Sequence, residues 1–232
     1  MARNEVFSKA PLSEVIFEIR FLPNLSVACK RDDFYNEIKS AYPDLSFPNI
    51  TFDKHPFMQP TQNWNVEKSK LITCSAESLS ISTNKYIKFG PFKDECVQLV
   101  KIFHDKYPSI NSIKRLGLRY TNRILLKRKN DKIDLSEYLK FNFYLPDILS
   151  KNKLEFFQSS FFTELESQTS GVRVNINSIN EKGTEFIILD FDLMSFKDIR
   201  FEDTEAHLIS YHDQLENIFL GIISDKYKES IR

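Results

Sequence analysis

Three arginines stand four residues apart in the segment 114–126 (KRLGLRYTNRILL): Arg115, Arg119 and Arg123. Residues an even number apart share one face of an extended strand, so the guanidinium groups form a row opposite Leu116, Leu118 and Tyr120. Lys127, Arg128 and Lys129 follow directly. Guanidinium forks match carboxylate and phosphate oxygens bidentately, which suits the row to phosphate, carboxylate or a nucleic-acid backbone. Carboxylates at matching spacing supply a second reading. Asp190 and Asp192 lie two apart in a strand-like run and so face one side, about 7 Å from each other. Glu14 and Glu18 lie four apart in EVIFEIRF. Either acidic pair can neutralise the arginines across a sheet as an ionic ladder. The ladder is the more economical reading, and the two are compatible, because such ladders often line an open sheet face. Gly117 and Thr121, between the arginines, leave room for long side chains or an approaching ligand.

Other chemistry is poorly supported. Paired aspartates can hold a divalent cation or divide acid and base roles, but no His or third carboxylate stands at a recognisable spacing from them. No metal and no cofactor are expected. The histidines are His55, His104, His207 and His212; the last two are five apart, about 500° around a helix, and miss the shared face of an i, i+4 metal pair. His212 falls beside an apolar stripe and reads as a hydrogen-bonded interior histidine. The sequence has no Gly-x-Ser-x-Gly elbow, HExxH or CxxC. Cys29, Cys74 and Cys96 are odd in number and far apart, which fits small buried thiols rather than disulfides or a zinc knuckle. Only 5 glycines occur, no two closer than 12 positions, where average usage of about 7% would give roughly 16. Glycine-rich phosphate loops and dinucleotide fingerprints are therefore excluded. No catalytic residue emerges.

The 32 basic and 32 acidic residues cancel over 232 positions, but not locally. Residues 1–110 carry a balance of +1, residues 111–153 of +7 and residues 154–232 of −8. A basic centre and an acidic C-terminal third of matching size favour contact between the two. Net neutrality counts against nucleic acid as the partner, although the stripe 111–129 keeps that reading open. With 41% hydrophobic residues the chain can bury one large core or two small ones. No apolar run is long enough to span a bilayer and the N-terminus lacks a signal-peptide core, so a cytoplasmic protein without membrane contact is expected.

The elements that must hold these residues follow from periodicity. Glu14–Phe21 alternates strictly, placing Val15, Phe17, Ile19 and Phe21 on one face. A helix is predicted over Asp32–Tyr42 and an irregular Pro-rich connection over Pro43–Pro60. Short strands are predicted at Trp64–Glu67, Leu71–Ala76, Leu79–Ser82 and Tyr86–Phe89, then a helix over Phe92–Tyr107. A second cycle brings the strand Lys114–Leu126 and a short helix or turn over Leu135–Tyr144. The strands Leu154–Glu166, Val172–Ile179 and Glu185–Met194 follow, and one long helix over Asp203–Ser230. Strand, helix, antiparallel strands, helix, read twice, predicts an α+β fold of two similar halves, 1–110 and 111–232. In element order it resembles TATA-binding-protein-like or helix-grip-like tandems. Helices then cover one sheet face and leave the other open or covered by the partner half.

Four segments, Ala10–Phe21 (APLSEVIFEIRF), Arg115–Ile124 (RLGLRYTNRI), Leu189–Asp192 (LDFD) and the helix with His212–Phe219 and Ile222–Asp225, resemble a sporadically distributed family of bacterial and archaeal proteins of no assigned function. The resemblance spans nearly the whole chain. It implies a prokaryotic cytosolic protein with the patchy distribution of mobile or antiviral-defence genes, and it supplies no catalytic residues.

These observations lead to a non-enzymatic binding protein whose surface is the polar sheet face with Arg115, Arg119, Arg123, Glu14, Glu18, Asp190 and Asp192. Its expected partner is another protein or a second copy of itself. Two rivals are nucleic-acid binding by the basic strand, and a sensor or enzyme for a phosphorylated or carboxylated small molecule held between the halves. The crowded aromatics Phe141, Phe143, Tyr144, Phe156, Phe157, Phe161 and Phe162 read chiefly as core or subunit interface. Phe156 and Phe162 share one strand parity and Phe157 and Phe161 the other, so one pair must look away from the core, towards a homodimer contact or an apolar pocket.

Overall fold

The computed structural model describes residues 10–48, 59–128, 134–140, 156–165 and 169–232. The strands are β1 (Leu12–Arg20), β2 (Asp44–Ser46), β3 (Thr61–Trp64), β4 (Lys70–Cys74), β5 (Ser78–Thr83), β6 (Arg115–Leu125), β7 (Gln158–Glu164), β8 (Ser170–Glu181) and β9 (Thr184–Ser195). The helices are α1 (Leu25–Cys29), α2 (Arg31–Ile38), α3 (Phe89–Lys106), α4 (Thr204–Ile222) and α5 (Asp225–Ile231). The fold is α+β, built on one nine-stranded sheet in the order β2-β3-β4-β5-β1-β6-β9-β8-β7, with every pairing antiparallel. The first strand of each cycle, β1 and β6, forms the central pair. Outward from it the strands descend in chain order on both sides: β5, β4, β3, β2 on one and β9, β8, β7 on the other.

Alternation sorts the side chains as the pleat requires. Val15, Phe17 and Ile19 of β1, Leu116, Leu118 and Ile124 of β6, and Leu189, Phe191 and Leu193 of β9 are fully buried on one face. The apolar residues of α2, α3 and α4 join the same core: Phe103 of α3 packs against Phe21 and Phe34 at ring-centroid distances of 5.1 and 5.7 Å. Each fully buried Phe or Leu contributes about 1.5–3 kcal/mol, so this layer carries most of the stability. The opposite face has no described helix on it. Among the described residues no helix is long and apolar enough to cross a membrane.

Several boundaries differ from expectation for local reasons. Pro23 and Asn24 end β1, but the Asn24 side chain then accepts from the Ser26 N–H and caps an extra short helix, α1; α2 ends at Ile38 rather than Tyr42. Part of the Pro-rich connection forms the edge strand β2, paired to β3, while residues 49–58 lie outside the described residues. Tyr86–Phe89 is not a strand. Its Tyr86 ring turns inward against Phe92 and Tyr120, and Phe89 already begins α3. The Glu181-Lys182-Gly183 turn forms as expected, with Lys182 and Gly183 at φ of 52° and 86°. The long C-terminal helix is broken at Ile223. There the chain is extended (φ −73°, ψ 145°), the Ser224 N–H bonds the Tyr138 carbonyl at 2.8 Å, and the Ser224 hydroxyl accepts from Tyr227 to start α5. Of the expected helix at Leu135–Tyr144, a 3-10 turn at Leu135–Glu137 is described; residues 141–150 lie outside. Cys74 and Cys96 are buried, whereas Cys29 is exposed.

Candidate functional site

The polar face of the sheet gathers the residues singled out by spacing. On β6 the even-numbered side chains enter the core, and Arg115, Gly117, Arg119, Thr121 and Arg123 project to the other side. The register with β1 sets Gly117 against Glu18 and Thr121 against Glu14. The register with β9 sets Arg119 against Asp192 and Thr121 against Asp190. Because β6 lies between β1 and β9, both acidic pairs flank the arginine row, and an ionic ladder forms.

Its strongest rung is bidentate. Arg119 donates from Nε to Asp190 Oδ1 at 2.6 Å and from Nη2 to Asp190 Oδ2 at 2.8 Å. Asn175 of β8 donates to the same Oδ2 at 3.0 Å and in turn accepts from the Ser160 hydroxyl of β7 at 2.6 Å. Asp190 is thereby 6% exposed on a face that carries no described helix. Hydrogen bonding to Asp190 raises the Arg119 pKa further, against the opposing effect of burial. Arg115 lies between two carboxylates, 3.3 Å from Asp192 and 3.7 Å from Glu18, and Glu18 also accepts from Arg20 Nε at 3.0 Å. Burial raises the Asp192 pKa above the usual carboxylate value in spite of Arg115, Arg119 and Arg173 nearby. Glu14 makes no ion pair among the described residues and reaches Arg119 only as a longer-range charge.

Arg123 departs from the expected pairing. It meets neither aspartate: its Nη2 donates to Glu181 at the β8–β9 turn, and its guanidinium lies 3.8 Å from the centre of the Phe186 ring. Such a stacked, half-buried cation contributes about 0.5–2 kcal/mol. Just beyond β6, Arg128 holds Glu185 bidentately at 2.6 and 2.7 Å. The basic centre and acidic third thus meet within the sheet, as the regional charges suggested. Lys129 and His55 lie outside the described residues. Arg173 of β8, opposite Asp192 and exposed, has no carboxylate within 4.0 Å among the described residues.

Gly117 does not open a cleft. A methyl group there would lie 3.8 Å from Asp192 Oδ1, an ordinary contact. Gly171 is the crowded glycine: an added methyl would lie 2.5 Å from Phe162 Cζ and 2.6 Å from Phe196 Cζ. These two rings, 48% and 44% exposed, make an aromatic corner at the β7 end of the polar face. Phe157 enters the core, while Phe156, Phe161 and Phe162 are exposed; Phe141, Phe143 and Tyr144 lie outside the described residues.

On the helix side His212 is half-buried, as expected of an interior histidine. Its Nδ1 is 2.8 Å from the Tyr120 hydroxyl and its ring stacks on Phe89 at 3.9 Å. Burial pulls its pKa below the ordinary value. His212, Asp213 and Glu216 offer ligand atoms within 4.8 Å of one another, a grouping missed by comparing histidines only with each other; the signal was the i, i+4 spacing of His212 and Glu216. A groove of about 850 Å³ lies between α4 and the ends of β8 and β9, with Lys197, His207 and Gln214 on its walls. A smaller one of about 310 Å³ runs between α3 and α4 past His104 and Phe201. None of the seven residues singled out on the polar face lines either groove. Compared with known proteins, the chain matches no family model and no curated protein sequence.

Proposed function

We propose that this chain is a binding protein that presents the polar face of its sheet to a protein partner. The observation that carries the reading is the Arg119–Asp190–Asn175–Ser160 relay, a hydrogen-bonded row across β6, β9, β8 and β7 held rigid with no described helix covering it. A prearranged set of donors and acceptors of both signs favours recognition of a partner with its own mixed polar surface, because electrostatic complementarity sets specificity and register. Nucleic acid fits less well, since Arg115, Arg119 and Arg123 already hold carboxylates and few phosphates could be neutralised without displacing them. A small-molecule site between the halves has less support, because the central β1–β6 pair is continuous sheet.

We also infer that the chain is a tandem of two related halves, 1–110 and 111–232, of the TATA-binding-protein-like or helix-grip-like kind. The strand order repeating outward from β1 and β6, each half ending in a long helix, supports this. A photo-crosslinking amino acid at Thr121, in the centre of the polar face, tests the binding reading against the same group at Ile209 on the exposed side of α4. Adducts specific to position 121, whose partner binds Arg119→Ala at least about tenfold more weakly, are the expected result. Equal labelling from both positions, or a partner indifferent to Arg119→Ala and Arg123→Ala in folded protein, sinks the proposal. A salt-sensitive gel shift with single- or double-stranded nucleic acid would replace it with the nucleic-acid reading.

A further inference from the structure

The two edges of the sheet are unlike. At one end β2 is three residues long, stands between Pro43 and Pro48, and carries Asp44 paired with Lys68. Shortness, proline and charge are the usual devices that keep an edge strand from pairing with another chain. At the other end β7, QSSFFTE, is seven residues long and carries none of them until Glu164. Six of its residues are exposed and Phe161 and Phe162 are each 48% so. The Phe157 carbonyl accepts from the Ser178 N–H, and the Leu165 N–H donates to the Ser170 carbonyl, each at 2.9 Å across to β8. By alternation Ser159, Phe161 and Thr163 also face β8. The N–H and C=O groups of Gln158, Ser160, Phe162 and Glu164 therefore point away from the sheet.

We propose that β7 pairs with β7 of a second copy of this chain, antiparallel about a two-fold axis at Phe161, joining two sheets into one. That register is the one that pairs all seven residues of the strand with their counterparts. Gln158 meets Glu164 of the other copy, an amide donor beside a carboxylate; Ser160 meets Phe162, Ser159 meets Thr163, and Phe161 meets its own counterpart. The four outward-facing residues form four facing pairs with two main-chain bonds each. Phe161 sits in a non-hydrogen-bonded pair, where Cα atoms approach to about 4.5 Å and side chains pack closest. No like charges oppose one another, whereas a parallel arrangement would set Glu164 beside Glu164. The dimer extends the polar face across the axis, so that two ladders are offered side by side. It does not depend on the proposed partner of that face.

Sedimentation of the full chain from about 1 to about 100 µM measures the dimer constant. Phe161→Glu sets two carboxylates at the axis and is expected to abolish the dimer with the circular dichroism of the fold unchanged. Gln158 and Glu164 are exposed, so their variants leave the fold intact. Gln158→Glu opposes Glu164 twice per dimer and weakens association between about twofold and thirtyfold; Gln158→Lys tightens it by a similar factor, and adding Glu164→Lys to Gln158→Glu restores it. A chain monomeric at every concentration overturns the proposal and leaves the edge to a strand of another protein. A dimer that ignores Phe161→Glu and both Gln158 variants overturns it equally, by placing the contact elsewhere.

Discussion

Removing Arg119 should cost the fold more than removing Asp190, although the two make the same ion pair. Asp190 is 6% exposed and accepts three hydrogen bonds, two from Arg119 at 2.6 and 2.8 Å and one from Asn175 at 3.0 Å. The Arg119 side chain is 45% exposed. Arg119→Met keeps the aliphatic stem but leaves a nearly buried carboxylate with one donor. Breaking a fully buried pair costs about 3–5 kcal/mol and an exposed pair about 0–1. With one partner half in water, about 2 kcal/mol is expected, or roughly 4–8 °C in Tm for a chain of this size. Asp190→Asn leaves a guanidinium that water can reach and forfeits one acceptor, for about 1 kcal/mol. Arg119→Met with Asp190→Asn should cost about 1 kcal/mol rather than the sum, a coupling near 2 kcal/mol. Urea unfolding of the four proteins at neutral pH reads all three quantities. Additive effects, or Asp190→Asn proving the costlier change, would refute the view that desolvation of the carboxylate governs the ladder.

Three further outcomes follow. Asp192 has a raised pKa because of burial, so its ionisation opposes folding at pH values above both its folded and unfolded pKa; Asp192→Asn should raise Tm at pH 7 by about 1–2 °C, a gain that fades as pH falls to about 3.8 and below. His212 has a lowered pKa from burial, so the unfolded chain protonates first and stability is lost as pH falls from about 6.5 through the folded value; an NMR titration should place its midpoint below that of a solvent-exposed histidine, and a midpoint above would reverse the sign. Gly117→Ala should change stability by no more than about 0.5 kcal/mol, while Gly171→Ala displaces the Phe162 and Phe196 rings and should cost about 1 kcal/mol; calorimetry showing the reverse order would remove the crowding at Gly171 as its cause.

The β1 and β6 strands were legible because a half-buried strand writes its two faces into alternate residues, as EVIFEIRF and RLGLRYTNRI do. The same alternation placed the arginines, both aspartates and Glu14 and Glu18 on one face without naming who pairs with whom. That choice depends on stagger. Arg123 reaches Glu181 because β8 and β9 run on past the end of the β1 pairing, and nothing local to either residue says so. The break at Ile223 was hidden for a related reason. The 3.6-residue period continues through it, and what ends α4 is a distant segment: Leu139 pairs with Ile223, and the Lys140 N–H takes the Ile222 carbonyl at 2.8 Å. Tyr86–Phe89 misled because an inward-turned aromatic before a helix reads like a short strand.

The ladder is poorly explained as a device for stability. Arg115 Nε is buried with no acceptor among the described residues, a defect that costs about 1–3 kcal/mol. Asp192 is held where its charge is disfavoured, and one arginine, Arg173, stands exposed beside it with no carboxylate within 4.0 Å among the described residues. Apolar side chains of similar volume on a covered face would be as stabilising or more so. A sheet face selected only for folding would also have its charges at the rim, where long side chains stay hydrated, and not drawn into one row across its centre. The arrangement makes sense if the cost is recovered on association, when a partner supplies an anion for Arg173 and further donors for the carboxylates. On that view the residue whose loss most weakens binding should not be the one whose loss most weakens folding. Arg119→Met should dominate stability and Arg173→Ala affinity, and partner titrations beside urea unfolding of those two variants separate the roles. If Arg119→Met lost stability alone and neither it nor Arg173→Ala changed affinity, the ladder would be structural and the recognition surface would lie elsewhere.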